Sequence, residues 1–275
     1  MKILITGATG FVGRYVVKEL LTHGHEVICF IRDEKKIPLF DWHEKVEIIH
    51  CDIHKWNFDI NSNSIPDALM HLAWSGLPNY QSTHHLEQNL PGDKKFLKLI
   101  LDKGVNHILV TGTCFEFGKK NGPLAPNMPT APDNPYAIAK DNLRNWLEAL
   151  KRKQEFLLQW VRLFYMYGSG QNPNSILSQL DRAIDNGDPV FNMSGGDQLR
   201  DYLPVEEVAR CLVNCIEKKD TQGIIHCCSG NPISIRCLVE EHIIKRNAKI
   251  KLNLGYYPYP EHEAMEFWGV NNDHN

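Results

Sequence analysis

Tyr136 and Lys140 stand four residues apart, and Thr113 lies upstream at the end of the run Ile108-Leu109-Val110-Thr111-Gly112. On a helix that spacing puts the phenol and the ammonium on one face, and Pro135 is a natural first helical residue. An ammonium beside a phenol stabilises the phenolate and lowers its pKa from about 10, so the pair can exchange a proton near neutral pH. The Thr113 hydroxyl can donate to the carbonyl oxygen that Tyr136 protonates. Such a trio suits reduction of a ketone or oxidation of an alcohol, given a hydride carrier beside it. Alone, the Tyr–Lys spacing equally describes a surface helix pair, and Thr113 a turn cap. Cys114 has no histidine partner at a useful spacing, so it reads as pocket wall rather than nucleophile.

A site for the carrier stands at the start of the chain. The apolar run Lys2-Ile3-Leu4-Ile5-Thr6 leads into Gly7-Ala8-Thr9-Gly10-Phe11-Val12-Gly13, with glycines spaced G-x-x-G-x-x-G. A strand, a glycine turn and a helix N-terminus offer close backbone approach and unpaired N–H groups to a diphosphate. An ordinary glycine-rich turn is the bland alternative. The second apolar run ends Cys29-Phe30-Ile31-Arg32-Asp33. A carboxylate there would clamp the adenosine ribose of NAD, but Arg32 comes first and Asp33 one residue late. A guanidinium fork fits a 2′-phosphate, so NADP(H) is the favoured cofactor and NAD(H) the alternative. Asp52 follows the third strand, either to accept from the adenine amino group or to cap the next turn. Asn89 is a candidate for a bridge behind the lysine.

These residues need a scaffold. Strands are expected at Ile3–Thr6, Val27–Ile31, Val46–His50, Ala68–Ala73, Ile108–Thr111, Leu157–Phe164 and Ile224–Cys228. Helices are expected at Val12–Thr22, His84–Asp102, Pro135–Gln154, Ile176–Asn186 and Pro204–Lys218, with a mixed strand and helix over Pro232–Arg246. Ile53 to Pro66 is polar and reads as a short helical turn at most. Alternating strands and helices imply an α/β fold, a Rossmann-type doubly wound parallel sheet, with the ligand at the strands' C-terminal ends. Residues 1–167 would form the dinucleotide-binding domain. Residues 168–275 would mainly form a small C-terminal substrate-binding lobe, with some later segments returning to the sheet.

The composition fits this class. The 275 residues are 43% hydrophobic, enough for a packed core, with a formal net charge of −3 and no basic stripe that would argue for nucleic acid. No apolar run is long enough to cross a bilayer or serve as a secretory leader. Eight cysteines lie mostly in apolar runs with no C-x-x-C pair, so a reduced cytoplasmic protein without a metal site is expected.

The motifs resemble those of the extended short-chain dehydrogenase/reductases, in the NAD-dependent epimerase/dehydratase group. The matching pieces are Gly7 to Gly13, His71-Leu72-Ala73-Trp74, Thr111-Gly112-Thr113, Tyr136-Ala137-Ile138-Ala139-Lys140, Arg162 to Gly168 and Arg200-Asp201-Tyr202-Leu203-Pro204-Val205. The resemblance implies catalytic roles for Thr113, Tyr136 and Lys140. It implies a cofactor wall of Gly7, Thr9, Gly10, Phe11, Val12, Gly13, Ile53, Leu72, Ala73 and Trp74, with Tyr136 and Lys140 also meeting the cofactor, Lys140 at the nicotinamide ribose, and a nucleotide-sugar substrate near Thr113, Cys114 and Phe115 whose phosphates meet Arg200. A surface Arg200–Asp201 pair is the alternative. It also implies a homodimer through the helices at His84–Asp102 and Pro135–Gln154, where Trp146, Leu147 and Leu150 line either that contact or the core. Departures narrow the chemistry: Cys114 and Phe115 replace the acid pair of 4,6-dehydratases, and Phe115 replaces the cysteine of C3/C5 epimerases. That leaves redox at one carbon. The tail from Tyr257-Pro258-Tyr259-Pro260-Glu261 to Phe267-Trp268-Gly269 is similar to that of 4-keto-6-deoxyhexose reductases, with Trp268 either a shelf for the sugar or a pin for the tail. The expectation is an NADPH-dependent 4-keto-6-deoxyhexose reductase. The alternatives are a nucleotide-sugar 4-epimerase with tightly held NAD and, more distantly, a non-catalytic NADP(H)-binding regulator or scaffold.

Overall fold

The computed structural model describes residues 1–55, 65–259 and 264–270. Most of the polar stretch at 53–66, and Pro260 and Glu261 of the tail motif, lie outside the described residues. The scaffold begins with β1 (Lys2–Thr6), α1 (Gly13–Thr22), β2 (Glu26–Ile31), β3 (Glu47–His50) and β4 (Ala68–His71), followed by α2 (Leu90–Asp102) and β5 (His107–Thr113). After β6 (Gly122–Leu124) come α3 (Pro135–Lys151), β7 (Leu157–Leu163), β8 (Tyr165–Tyr167), α4 (Ile176–Asp185), β9 (Val190–Asn192), β10 (Leu199–Arg200) and β11 (Tyr202–Pro204). The chain closes with α5 (Val205–Glu217), β12 (Gly223–Cys227), β13 (Ile233–Ser234), α6 (Ile235–Lys245), β14 (Lys251–Asn253) and β15 (Phe267–Gly269).

Seven strands form one parallel sheet in the order β12-β7-β5-β4-β1-β2-β3. The order reverses beside β1, which is where a doubly wound sheet opens a crevice at its C-terminal edge. Side chains alternate across the sheet with a period of two. Ile3 and Ile5 therefore pack with Val16, Val17 and Leu20 of α1 and Val208 and Leu212 of α5. Leu4 faces the other way, with Phe96 and Ile100 of α2 and Leu143 and Leu147 of α3. Each such side chain, fully buried, contributes about 1.5–3 kcal/mol of transfer free energy. Leu147 thus belongs to the core, while Trp146 and Leu150 are half-buried against it.

The helix expected to reach Gln154 ends at Lys151, and two elements beside the cleft differ as well. The helix expected from His84 is instead a wide π turn, His85–Asn89, followed by α2. Pro91 has no N–H to continue an α-ladder, and the Leu90 N–H reaches back five residues to His85 O. The fourth strand stops at His71 rather than Ala73, because the Leu72 and Ala73 N–H groups turn to the backbone and side chain of Thr6.

The segments after residue 168 divide. Helix α5 packs on α1 and β12 adds an edge to the main sheet, whereas α4, β9, α6 and β14 surround a separate cluster of Leu177, Leu180, Phe191, Leu238, Val239 and Ile250. No helix among the described residues is long and apolar enough to cross a membrane.

Candidate active site

The C-terminal ends of the strands open on a cleft of about 1340 Å³. Its floor at one end is the glycine loop. Gly7 adopts a φ of +77°, and a Cβ there would lie 2.7 Å from the Ala73 nitrogen. A Cβ on Gly13 would fall 2.0 Å from the Gly7 carbonyl oxygen. The loop is therefore closed to side chains at the start of α1, whose N-terminus carries no side-chain cap. Bare amides at an uncapped helix end, with backbone alone in front of them, fit a diphosphate. Thr9, Phe11, Val12, Ile53, Leu72, Ala73 and Trp74 line the same cleft, as do Arg32, Asp33, Lys36 and Asp52. Asp52 also accepts from the His54 N–H at 3.2 Å, so it caps its turn while facing the cleft.

At the other end the structure brings Thr113, Tyr136 and Lys140 together with Cys114, Phe115 and Arg200. Asn134 caps α3 by accepting from the Ala137 N–H at 3.0 Å, which fixes the first turn that carries Tyr136. The Tyr136 N–H donates to Tyr80 O at 3.1 Å, and the two rings lie 5.5 Å apart. Thr113 caps the short 3₁₀ turn that follows β5, accepting from the Phe115 N–H at 3.3 Å.

The electrostatics correct the expected phenol chemistry. Burial pushes the Tyr136 phenol well above its usual range, and Tyr80 adds to this while the Thr113 hydroxyl opposes it. Lys140 does not sit on the phenol: its Nζ donates to Thr111 O at 2.9 Å and lies 3.9 Å from the centre of the Trp74 ring. Burial lowers Lys140 to about 8, against the pull of Asp93 and Glu116. Desolvation thus outweighs the attraction that the spacing suggested. In this state the phenol is a proton donor, suited to the reduction direction. Burial also pushes the Cys114 thiol up to about 12, which removes it as a nucleophile.

Arg200 is 2% exposed and Asp201 fully buried, so they are not a surface pair. The Arg200 guanidinium donates to the carbonyls of Leu199 (2.9 Å), Met265 (3.2 Å) and Ala264 (2.7 Å) and lies over Phe267 at 4.6 Å. These contacts fix a cation in the cleft wall and anchor the tail at the same time. Asp201 accepts from the Ser229 and Gly230 N–H groups at 2.7 and 2.9 Å.

Two residues assigned to the site from the sequence stand outside the cleft lining. Asn89 is buried, donating to Ser75 O at 2.9 Å and accepting from Ser75 Oγ at 2.7 Å, so it holds a lining residue rather than facing the cleft. Trp268 lies in β15, opposite Pro123 of β6, where it helps pin the tail.

Sequence reasoning missed a buried polar layer under the site. Glu116 accepts from the Thr113 N–H (2.9 Å), Trp160 Nε1 (3.0 Å) and Arg162 Nε (2.7 Å). Burial pushes its carboxyl up, and Arg162 opposes that most strongly. A second chain runs from His54 at the cleft to Asp93 (2.7 Å), with His71 beyond it and bonded to Thr6 Oγ1 at 2.9 Å. Tyr80 and Ser75 were missed as well. Their only signal is position, in the loop that leaves the C-terminal end of a parallel strand.

The family model described as "NAD dependent epimerase/dehydratase family" matches residues 3–228. The chain belongs to that family. A relative named dTDP-6-deoxy-L-talose 4-dehydrogenase (NAD(+)), from Aggregatibacter actinomycetemcomitans, is 35% identical over 273 residues, covering 98% of this chain and all of the relative. A UDP-glucose 4-epimerase from Halalkalibacterium halodurans is 27% identical over 274 residues, covering 87% of this chain and 79% of its own. A solved structure of UDP-glucuronic acid 4-epimerase from Bacillus cereus, in complex with NAD, superposes with a TM-score of 0.82 at 21% identity, over 99% of this chain and 88% of that one. The 35% identical relative is named for NAD(+), and this overturns the expectation of NADP(H). Asp33 lines the cleft beside Arg32 and Lys36, so the segment after β2 presents a carboxylate as well as two cations.

Proposed function

We propose that this chain catalyses NAD(H)-dependent oxidoreduction at C4 of a nucleotide-linked hexose. The observation that carries the reading is one cleft holding both the glycine loop, closed to side chains, and the Thr113–Tyr136–Lys140 set. Gly7 to Gly13 would hold the diphosphate of NAD, and Asp33 and Asp52 its adenosine. Bound NAD(H) supplies or accepts the hydride. Thr113 and Tyr136 hold the C4 oxygen between two hydroxyls. Tyr136 gives that oxygen its proton in reduction and takes it back in oxidation. Lys140, fixed by Thr111 O, offsets the negative charge that forms on Tyr136 when the proton leaves. Arg200, held in the cleft wall by three carbonyls, supplies positive charge towards the sugar-nucleotide phosphates.

Two net reactions share this chemistry. In a 4-epimerase the hydride returns to the opposite face of the same carbon, which is the sequence alternative that keeps NAD bound. It has the support of a relative named as a UDP-glucose 4-epimerase and of a 4-epimerase structure solved in complex with NAD. In a 4-dehydrogenase of a 6-deoxyhexose nucleotide the ketone and NADH leave, and the name of the 35% relative favours this form. The test mixes purified protein with NAD(+) and a panel of dTDP-, UDP- and GDP-linked hexoses and 6-deoxyhexoses. NADH accumulation with a 4-keto product supports the dehydrogenase, and interconversion of C4 epimers without NADH supports the epimerase. Absence of both would remove the C4 reading. Self-association through α2 and α3 is part of the proposal, and a monomeric mass in sedimentation at micromolar protein would refute it.

A further inference from the structure

At the end of the sheet opposite the cleft, two helices finish side by side. Helix α1 ends at Thr22, and His23 and His25 flank Gly24, which adopts a φ of +74°. The Gly24 N–H donates to Leu21 O and the His25 N–H to Leu20 O, at 3.1 and 3.0 Å. This closed helix stop fixes the two histidines relative to each other. Helix α5 ends at Glu217, and its packing on α1 brings that carboxylate to both rings. His23 Nδ1 lies 3.0 Å and His25 Nε2 2.8 Å from Glu217 Oε1. One ligand atom from each of the three residues lies within 4.8 Å of the others.

We propose that His23, His25 and Glu217 form a divalent transition-metal site of zinc-like chemistry that clamps α1 to α5. Two imidazoles and one carboxylate are a donor set that zinc accepts and that hard cations such as magnesium do not favour. Bond lengths near 2.0–2.2 Å in a tetrahedron place ligand atoms ~3.4 Å apart, so the two N···O separations need open by only a few tenths of an ångström. A second feature points the same way. The outer nitrogen of His23, Nε2, lies 3.4 Å from Glu19 Oε1. A carboxylate behind a ligating histidine is the usual arrangement that orients the ring and sharpens its basicity. Both helix C-termini direct the negative ends of their dipoles at the site, while the Met1 ammonium donates to His25 Nδ1 at 3.3 Å, so metal binding at Nε2 moves the ring proton to Nδ1 and displaces that contact. The side chains of His23 and Glu217 are 30% and 33% exposed, leaving a path for the ion and room for water as a fourth ligand. The cysteine spacings that argued against a metal do not bear on this cluster, whose carboxylate lies 192 residues from His25.

The proposal places the ion away from the cleft, so its effect is on stability and not on turnover. The test titrates Zn²⁺ into untagged, EDTA-treated full-length chain by calorimetry, with thermal unfolding in parallel. One ion per chain should bind and raise the Tm. His23→Ala combined with Glu217→Gln should abolish both effects, while far-UV circular dichroism and metal-free activity stay at parent levels. Glu19→Gln should weaken binding roughly 10–100-fold. Co²⁺ in the same site should give the intense visible bands of a tetrahedral ion, absent in the double variant. No saturable binding by the parent, or binding that persists unchanged in the double variant, overturns the proposal.

Discussion

Glu116→Gln strikes the polar layer on which the Thr113 turn rests. The carboxylate is wholly buried and its partner Arg162 is 1% exposed at the side chain. Oxygen Oε1 serves the Thr113 N–H and Trp160 Nε1, and Oε2 takes the Arg162 Nε–H at 2.7 Å. Glutamine has one acceptor oxygen to keep for the first two, which turns its amide N–H₂ towards the guanidinium, donor against donor. Arg162 is left with the Pro126 carbonyl at 3.0 Å and no buried counter-charge, whereas nearby Arg144 retains Asp141 and Glu148. Removing one member of a buried ion pair costs about 3–5 kcal/mol. At roughly 2–4 °C per kcal/mol for a chain near this size, the Tm should fall by roughly 6–20 °C. Turnover should fall too, because the same carboxylate caps the backbone of Thr113. Urea unfolding of the parent, Glu116→Gln, Arg162→Met and the double variant measures the coupling. The double variant should be more stable than Glu116→Gln alone, since it no longer carries an orphaned charge. A glutamine variant within about 0.5 kcal/mol of the parent, or strictly additive losses, would refute the reasoning.

Tyr136→Phe keeps the ring and removes the proton donor, so turnover should drop roughly 10²–10⁴-fold with NADH affinity nearly unchanged; retained turnover in steady-state assays would remove Tyr136 from the chemistry. Lys140 is a cation below about 8 and neutral above it in the ligand-free chain, so kcat/KM should decline as pH rises through that value. Lys140→Arg, always protonated, should flatten that limb at a lower plateau, and a parent profile level to about pH 10 would count against the assignment. Gly13→Ala puts a methyl 2.0 Å from the Gly7 carbonyl oxygen, so NADH binding followed by fluorescence should weaken roughly tenfold or more, a loss of 1.4 kcal/mol or above. An unchanged Kd would show that the loop is not the cofactor cradle.

What the sequence disclosed was local physics. Strand runs, the glycine turn, Pro135 before Tyr136 and the four-residue step to Lys140 all depend on near neighbours, and the structure brings Thr113, Tyr136, Lys140 and the loop to one cleft. The polar layer was hidden because its partners are distant: 46 residues separate Glu116 from Arg162, and 39 separate His54 from Asp93. Only the order of the sheet strands brings them together. The sequence pattern places Asn89 on a continuous helix from His84. The π turn at His85–Asn89 shifts the phase of that segment, and the carboxamide turns to Ser75. Spacing carries the attraction of the Lys140 cation for the Tyr136 phenol but not the cost of desolvation, which dominates.

The cofactor expectation failed for a related reason. It ranked Arg32 above Asp33 by their order after the second strand, with Asp33 one residue late for the ribose. Strand β2 stops at Ile31 and the chain bends at Arg32. Beyond a bend, successive side chains no longer point to opposite faces, and position in sequence ceases to set which one meets a ligand. Asp33 accepts from the Lys35 N–H at 3.2 Å, which fixes the carboxylate at the mouth of the cleft where Arg32 also stands. An exposed arginine beside a fixed carboxylate is a poor pocket for a dianionic 2′-phosphate, because the two like charges repel while the guanidinium is already screened by water. The same carboxylate is well suited to accept from ribose hydroxyls, which is the recognition that NAD requires.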